Sequence, residues 1–219
     1  MDAGTITASV IKVSTGSNNS RFTSVERSEL PPSKANKAEW RAWAKTQRIS
    51  DRGETSSVIA EHLAAWLPGG STVLSFLPML GEVDLGELEQ IHLELVMTRT
   101  PDAGWLTVHA WDAPRETHQW GFEQPAPEAV VFTGAIDIAL VPGVLFDNVG
   151  RRLGHGKGYY DELLARLEVP IRIGVAPGAL MVPILPAQDH DVRMTHLVSE
   201  RGVQEVIGSE PQSKEPDGR

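Results

Sequence analysis

A buried strand followed by a loop, a helix and a second buried strand constrains the fold more than any other part of this chain. The segment IDIALVPGVLFD opens with a β-branched apolar run from Ile136 to Val141, which Pro142 and Gly143 close. An amphipathic helix comes next, with apolar positions at Tyr160, Leu163, Leu164 and Leu167. The apolar run IRIGVA then predicts another strand. Strand, helix and strand in this order form the unit of a parallel sheet, so the sequence predicts an α/β fold.

Shorter patterns predict the elements before this unit. SKANKAEWRAWAKTQRI predicts a helix with Ser33 as its N-cap and with Trp40 and Trp43 in the core. GETSSVIAEHLAAWLPGG predicts a second helix that stops at Pro68. STVLSFLPM, LELVMT and WLTVHAW predict strands, and GEVDLGELEQI predicts a loop with a short helix.

Composition is typical of one globular domain without disulfides, because 41% of the 219 residues are hydrophobic and none is cysteine. We expect a folded body at 34–208 between a flexible leader, 1–33, with a possible strand at Val10–Val13, and a flexible tail, 209–219. No membrane span or signal peptide is recognisable, so we expect a cytoplasmic protein without membrane partners. The net charge of −9 argues against nucleic-acid binding. We expect small-molecule partners and a monomer or weak homodimer.

The loop GRRLGHGKGYYD is a local exception to this negative charge. It carries Arg151, Arg152 and Lys157 together with His155, and no carboxylate precedes Asp161. Glycines allow backbone N–H groups to approach a ligand closely, and a helix N-terminus attracts anions. Phosphate is therefore the expected ligand. The loop matches neither the Walker A pattern nor GxGxxG. A glycine-rich turn with solvated cations and core tyrosines is the alternative, but the cations and the acid together favour a binding site.

The loop resembles the signature of the 5-formyltetrahydrofolate cyclo-ligase family, and other segments are similar to that family in the same order. These segments are KAEWR at 37–41, FLPMLGEVD at 76–84, WGFEQP at 120–125, IDIALVPGVLFDNVGRRLGHGKGYYD at 136–161 and LPAQDHD at 185–191. The resemblance implies a three-layer parallel-sheet domain of the sugar-phosphate isomerase and CoA transferase-like type. It also implies an ATP- and Mg²⁺-dependent ligase that converts 5-formyltetrahydrofolate to 5,10-methenyltetrahydrofolate, with release of ADP and phosphate.

The family resemblance also implies residue roles. ATP would bind Lys37, Arg41, Arg152, Leu153, Gly154, His155, Gly156, Lys157, Gly158, Tyr159 and Tyr160. The folate substrate would contact Leu77, Glu82, His155, Gly156, Lys157, Gly158 and Tyr159. Mg²⁺ would be held by Asp161 and Asp191. Catalysis would depend on Lys157 and Arg152, which would neutralise charge on the transferring phosphoryl group.

Several alternatives remain open at this point. Glu82 could cap the helix expected near Asp84, and Asp191 could be a solvated loop acid. The chain could also be a family relative with a thiamine-linked substrate, or a nucleotide-binding module without activity. Thr195 and Ala179 stand where the family often has an acid and a glutamine, which leaves the surroundings of the site open.

Overall fold

The computed structural model describes residues 29–47, 49, 51–101, 104–188 and 191–207. The expected strand at Val10–Val13 and nearly all of the expected leader and tail lie outside these residues. Helices occupy α1 (Lys37–Thr46), α2 (Arg52–Trp66) and α3 (Tyr159–Arg166). Strands occupy β1 (Thr72–Ser75), β2 (Glu94–Arg99), β3 (Thr107–Ala110), β4 (Arg115–Thr117), β5 (Glu123–Pro125), β6 (Ile138–Pro142), β7 (Leu145–Asp147), β8 (Arg152–Leu153), β9 (Ile171–Val175), β10 (Met181–Val182), β11 (His196–Ser199) and β12 (Gly202–Glu205). Short 3₁₀ helices occupy Gly86–Gln90 and Gly178–Leu180.

The N-terminus of α1 corrects one sequence prediction. Asn36, not Ser33, is the N-cap, and its side chain accepts hydrogen bonds from the amides of Ala38 and Glu39. The Glu39 carboxylate accepts the Asn36 amide in return. This reciprocal pair is a capping box, which requires a glutamate or glutamine three residues after the cap. The prediction at Ser33 was wrong because the glutamate that completes the box lies three residues after Asn36.

The central sheet confirms the predicted parallel α/β fold. Seven strands lie in the order β12-β11-β9-β6-β1-β2-β3, and each of the inner neighbours from β11 to β2 runs parallel to the next. Only the two edge strands of this sheet, β12 and β3, pair antiparallel with their neighbours. Strands β6 and β9 pair directly, so the strand–loop–helix–strand unit of the sequence forms as predicted.

Helices cover both faces of this sheet, because successive residues of the central strands point to opposite sides. Leu74, Ala139 and Val141 pack in one core with Trp40 and Trp43 of α1 and with Leu163 and Leu164 of α3. Val73, Ile138 and Leu140 pack in a second core with Ile59 and Leu63 of α2. The prediction that the two tryptophans belong to the core is confirmed. Among the described residues, no helix has the combined length and apolar character of a bilayer-crossing segment.

Two small sheets beside the central sheet were not predicted. Strands β10, β7 and β8 form one of them, and β4 and β5 form a separate hairpin. The predicted strand does end at Pro142, and β7 begins shortly after it, at Leu145. These strands have only two or three residues and include polar ones, so they carry no recognisable alternation.

We expect the free energy of unfolding to fall as the pH falls below 6.5, because His109 is buried. Its Nδ1 lies 2.9 Å from the Val130 carbonyl oxygen and its Nε2 lies 2.8 Å from the Thr107 hydroxyl. Burial lowers the pKa of His109 from its usual 6.5. The unfolded chain therefore takes up a proton first, and stability is lost as the pH falls through the lowered pKa. Urea unfolding at several pH values measures how the free energy of unfolding changes with pH.

The variant His109→Gln is expected to show a smaller loss of stability between neutral and acidic pH than the wild-type protein. Burial also lowers the pKa of His196, so part of the pH dependence should remain in this variant. If the free energy of unfolding had the same pH dependence in both proteins, His109 would not be a cause of that dependence.

Candidate active site

A cavity of about 330 Å³ lies where the β6–α3 loop meets the segments that follow β1 and β2. This is the edge of a parallel sheet at which ligands of α/β proteins usually bind. Every site residue expected from the sequence lines it: Lys37, Arg41, Leu77, Glu82, Arg152, Leu153, Gly154, His155, Gly156, Lys157, Gly158, Tyr159, Tyr160, Asp161 and Asp191. The structure thus gathers residues from four separate segments into one site.

The glycine loop brings backbone groups and a helix N-terminus to this cavity. Gly156 and Gly158 have positive φ angles of 103° and 73°, which L-residues with side chains rarely adopt. Gly158 is the N-cap of α3, and no side chain caps this end of the helix. The first amide groups of α3 therefore lack a side-chain acceptor at an end that already favours anions.

A buried carboxylate holds the base of this loop. Asp147 is fully buried, and its Oδ1 accepts the amides of Val149 (3.1 Å) and Arg151 (2.8 Å). Its Oδ2 accepts the amide of Leu185 at 2.8 Å. The Arg151 guanidinium lies beside Asp147 and donates to the Leu185 carbonyl oxygen. Arg151 is therefore a scaffold residue, whereas the next residue, Arg152, lines the cavity.

We expect Asp147→Asn to lower the free energy of unfolding by about 1–3 kcal/mol, because an amide can no longer accept hydrogen bonds on both sides. Urea unfolding measures the loss. Asp112→Asn removes the same charge from an exposed position and should change stability by less than about 0.5 kcal/mol. Equal stability of the two variants would contradict the anchoring role of Asp147.

Two cations of the cavity are paired with carboxylates. Arg152 Nη2 lies 2.8 Å from Asp161 Oδ2, and Lys37 Nζ lies 2.9 Å from both carboxylate oxygens of Asp191. The sequence placed Asp161 beside the cations of the loop, and folding brings Asp191 to Lys37 from a distant segment. Lys157 differs from both cations, because it is exposed and no salt bridge joins it to a described residue.

Helix α1 contributes a cation, Arg41, that contacts the loop. Arg41 Nε donates to the Gly154 carbonyl oxygen at 2.8 Å. A Cβ atom at Gly156 would lie 3.3 Å from the Arg41 guanidinium, so this glycine also permits the close approach of the two segments. Lys37 and Arg41, four residues apart on one helix face, therefore reach the same cavity.

Glu82 lies on the opposite side of the cavity and faces the loop. Its Oε2 accepts the Met79 amide at 2.9 Å, and its Oε1 lies 3.5 Å from His155 Nε2. The alternative that Glu82 caps the following helix is wrong, since that 3₁₀ helix starts at Gly86 without a side-chain cap. Asp84 accepts the Gly86 amide instead. Glu82 therefore lines the cavity together with Leu77.

Tyr160 connects the loop to strand β2. Its hydroxyl lies 3.4 Å from the Thr98 hydroxyl, and the Arg152 guanidinium lies 5.5 Å from the centre of its ring. Burial raises the pKa of the Tyr160 hydroxyl well above its ordinary value, so this group stays protonated. It can donate a hydrogen bond but cannot serve as a base at neutral pH.

Comparisons with known proteins identify the family. The model of the 5-formyltetrahydrofolate cyclo-ligase family matches residues 33–200. The chain belongs to this family. The family predicted from the sequence motifs is therefore confirmed.

Individual cyclo-ligases align over different shares of their length. The chain is 31% identical over 162 residues to 5-formyltetrahydrofolate cyclo-ligase of Mycolicibacterium smegmatis, which covers 66% of this chain and 84% of that protein. It is 32% identical over 120 residues to the mouse cyclo-ligase, covering 52% of this chain and 57% of the mouse protein. The solved structure of Aquifex aeolicus 5,10-methenyltetrahydrofolate synthetase superposes with a TM-score of 0.66 at 27% identity. That superposition covers 84% of this chain and 99% of the other.

Several lining residues of this cyclo-ligase family member were not assigned from the sequence. They are Phe76, Met79, Thr98, Thr100, Leu106, Trp120, Phe122, Pro142 and Gln188. Trp120 and Phe122 are the most prominent, because both contact the buried His118 ring, at centroid distances of 4.7 and 4.6 Å. The motif WGFEQP contained both aromatic residues, but nothing in its spacing indicates that they face a cavity.

The two positions that depart from the family pattern lie away from the cavity lining. The Thr195 hydroxyl accepts the Arg172 amide and donates to the Arg172 carbonyl oxygen, so it supports the pairing of β9 with β11. Ala179 lies in the 3₁₀ helix Gly178–Leu180. Neither residue lines the cavity.

Asp161 and Asp191 are the two aspartates on the cavity wall. Among the described residues, no cluster of three or more histidine, cysteine, aspartate or glutamate side chains could hold a metal on its own. Mg²⁺ commonly binds one or two protein carboxylates together with water and nucleotide phosphates. The donor set therefore fits Mg²⁺ that arrives with a nucleotide better than a permanently bound ion.

Proposed function

We propose that this chain catalyses the Mg-ATP-dependent conversion of 5-formyltetrahydrofolate to 5,10-methenyltetrahydrofolate, with release of ADP and phosphate. The observation that carries this proposal is the single cavity that collects phosphate-binding groups and the folate-side residues Leu77 and Glu82. The names of the relatives support the same reaction. The retained folate side favours this reaction over a thiamine-linked substrate, and the retained Lys157, Asp161 and Asp191 favour it over a module without activity.

The ATP phosphates would lie along the glycine loop, between the N-terminus of α3 and the cations of α1. Backbone N–H groups and fixed cations stabilise phosphate oxygens without reorganisation at the moment of reaction. Lys37 and Arg41 would hold the phosphates from one side, and Arg152 and Lys157 from the other. Lys157 is exposed and has no carboxylate partner among the described residues, so it is available to the transferring phosphoryl group.

Asp161 and Asp191 would hold Mg²⁺ beside the nucleotide. When bound, this ion neutralises charge on the phosphate oxygens. Both aspartates are engaged by cations in the structure, Asp161 by Arg152 and Asp191 by Lys37. On nucleotide binding the two cations would turn from the carboxylates to the phosphates, which keeps every charge compensated as the carboxylates become available.

The folate would occupy the half of the cavity that is lined by Leu77, Glu82 and the hairpin residues Trp120 and Phe122. The flat rings of a folate suit an apolar and aromatic wall. The Glu82 carboxylate can accept hydrogen bonds from ring N–H groups. His155, Gly156 and Tyr159 border both halves, so the formyl group and the γ-phosphate would meet at the glycine loop.

The proposed reaction begins with attack of the formyl oxygen on the γ-phosphorus of ATP, which breaks its bond to the ADP oxygen. Lys157 and Arg152 would stabilise the charge on the phosphoryl oxygens during this transfer. N10 of the folate then attacks the activated formyl carbon, and loss of its proton and departure of phosphate complete the methenyl bridge. An amide-like oxygen leaves poorly, and phosphorylation converts it into a good leaving group.

Several finer assignments belong to the same proposal. The helix-covered parallel sheet supports a domain of the sugar-phosphate isomerase and CoA transferase-like type. We also propose a single functional domain at 34–208, a cytoplasmic location, small-molecule partners alone, and a monomer or weak homodimer.

An absorbance assay tests the function. Purified protein is mixed with 5-formyltetrahydrofolate and Mg-ATP, and formation of the methenyl product is followed in its own absorption band. Product should form only when protein, ATP and Mg²⁺ are all present. Absence of product from folded protein that still binds ATP would refute the proposed substrate and favour a different family activity.

A further inference from the structure

The hairpin of β4 and β5 carries the aromatic wall of the cavity but does not belong to the central sheet. Its two strands of three residues pair only with each other. The turn between them contains Trp120 and Phe122. A two-stranded hairpin by itself is marginally stable in water. Side-chain contacts must therefore fix its position relative to the rest of the cavity.

A partly buried network of three polar side chains supplies such contacts. Glu116 and Gln124 stand opposite each other in the hairpin, and Gln124 Nε2 donates to Glu116 Oε1 at 2.9 Å. Arg99, at the end of β2, donates from Nη2 to the same oxygen at 2.8 Å. Arg99 and Gln124 are both buried, with exposures of 9% and 2%. The Glu116 side chain is 36% exposed, but its carboxylate and the Arg99 guanidinium are both ionised, and such a hydrogen bond is stronger than one between neutral groups.

The network also connects to the backbone that continues β2. Gln124 Oε1 accepts the Thr100 amide at 3.1 Å, and Arg99 Nη1 donates to the Thr100 carbonyl oxygen at 3.1 Å. Thr98 and Thr100, on either side of Arg99, both line the cavity. Hydrogen bonds thus hold the hairpin to the C-terminal end of β2, next to residues that line the cavity.

We propose that Arg99, Glu116 and Gln124 are positioning residues that hold the aromatic hairpin at the cavity and so determine affinity for the non-nucleotide substrate. This role rests on the proposed function, in which the hairpin contacts the folate. The groups expected to bind ATP come from α1, the glycine loop and α3, none of which contributes a side chain to this network. Weakening the network therefore affects one substrate and spares the other.

Kinetics of three variants test this role. Glu116→Ala is expected to raise KM for 5-formyltetrahydrofolate about tenfold, while kcat and KM for ATP stay within about twofold of wild type. Glu116→Gln keeps an acceptor for Arg99 and Gln124, and it should restore KM to within about threefold. Glu123→Ala is the matched control: it removes the same charge from the same hairpin, at an exposed side chain that accepts a hydrogen bond from Thr117. It should leave all constants unchanged.

Three kinetic results would overturn the proposal. The first is an unchanged KM for 5-formyltetrahydrofolate in Glu116→Ala. The second is an equal rise of this KM in Glu123→Ala. The third is a proportional rise of the KM values for both substrates in Glu116→Ala. The last result would indicate a general disturbance of the fold rather than a displaced hairpin.

Hydrogen–deuterium exchange tests the positioning independently of activity. In Glu116→Ala, amides of residues 115–125 should exchange about tenfold faster than in wild type, while those of residues 152–161 are unchanged. If the wild-type protein does not turn over the folate, the proposed function fails, and the exchange data still decide whether the network holds the hairpin. Unchanged exchange at residues 115–125 would overturn the positioning role itself.

Discussion

Lys157→Ala is expected to lower kcat for methenyl formation by about 100-fold or more, the usual effect of losing one group that stabilises developing charge. Lys157 lines the cavity between two glycines and is exposed. Since it has no core contacts to lose, the free energy of unfolding should change by less than about 0.5 kcal/mol. Steady-state kinetics and urea unfolding of the same preparation measure the two quantities.

Lys45→Ala is the control for this substitution. Lys45 is an exposed lysine in the last turn of α1, and it does not line the cavity. Its removal changes the net charge equally and should leave kcat at the wild-type value. Equal turnover in wild type and Lys157→Ala would contradict the role assigned to Lys157, and equal losses in both lysine variants would indicate a long-range charge effect instead.

Asp161→Asn and Asp191→Asn should both reduce activity and raise the Mg²⁺ concentration for half-maximal rate by at least about tenfold. Their effects on stability should differ. The Arg152 side chain beside Asp161 is only 6% exposed, so loss of its counter-charge should cost about 1–3 kcal/mol. The Lys37 side chain beside Asp191 is 23% exposed and retains a hydrogen bond to Gln188. Loss of the Asp191 charge should therefore cost less than about 1 kcal/mol.

Mg²⁺ titrations of the rate and urea unfolding without nucleotide separate these two effects. A variant that keeps the wild-type Mg²⁺ dependence would contradict the metal role of its aspartate. A larger stability loss for Asp191→Asn than for Asp161→Asn would contradict the comparison of the two ion pairs.

The sequence predicted the core of the fold and the glycine loop because both depend on residues that are contiguous in the chain. The apolar run of β6, the amphipathic helix α3 and the apolar run of β9 each carry a complete local pattern. Gly156 and Gly158 likewise fulfil a local requirement, since their positive φ angles belong to the loop itself.

Long-range pairing explains what the sequence did not reveal. Lys37 and Asp191 are 154 residues apart, and no spacing rule connects them. The family motifs indicated that both belong to the site, but not that they bond each other. The hairpin of β4 and β5 was missed for a related reason. Its strands are too short for a pattern, and its position depends on Arg99 of another strand.

The central claim is that ATP phosphorylates the formyl oxygen before the ring closes, and the fate of that oxygen tests this claim most directly. The protein is incubated with Mg-ATP and 5-formyltetrahydrofolate that carries ¹⁸O in the formyl group, and the released phosphate is analysed by ³¹P NMR. We predict that each phosphate released with a methenyl product contains the labelled oxygen. Phosphate without the label, or ATP hydrolysis without methenyl product, would contradict the proposed mechanism.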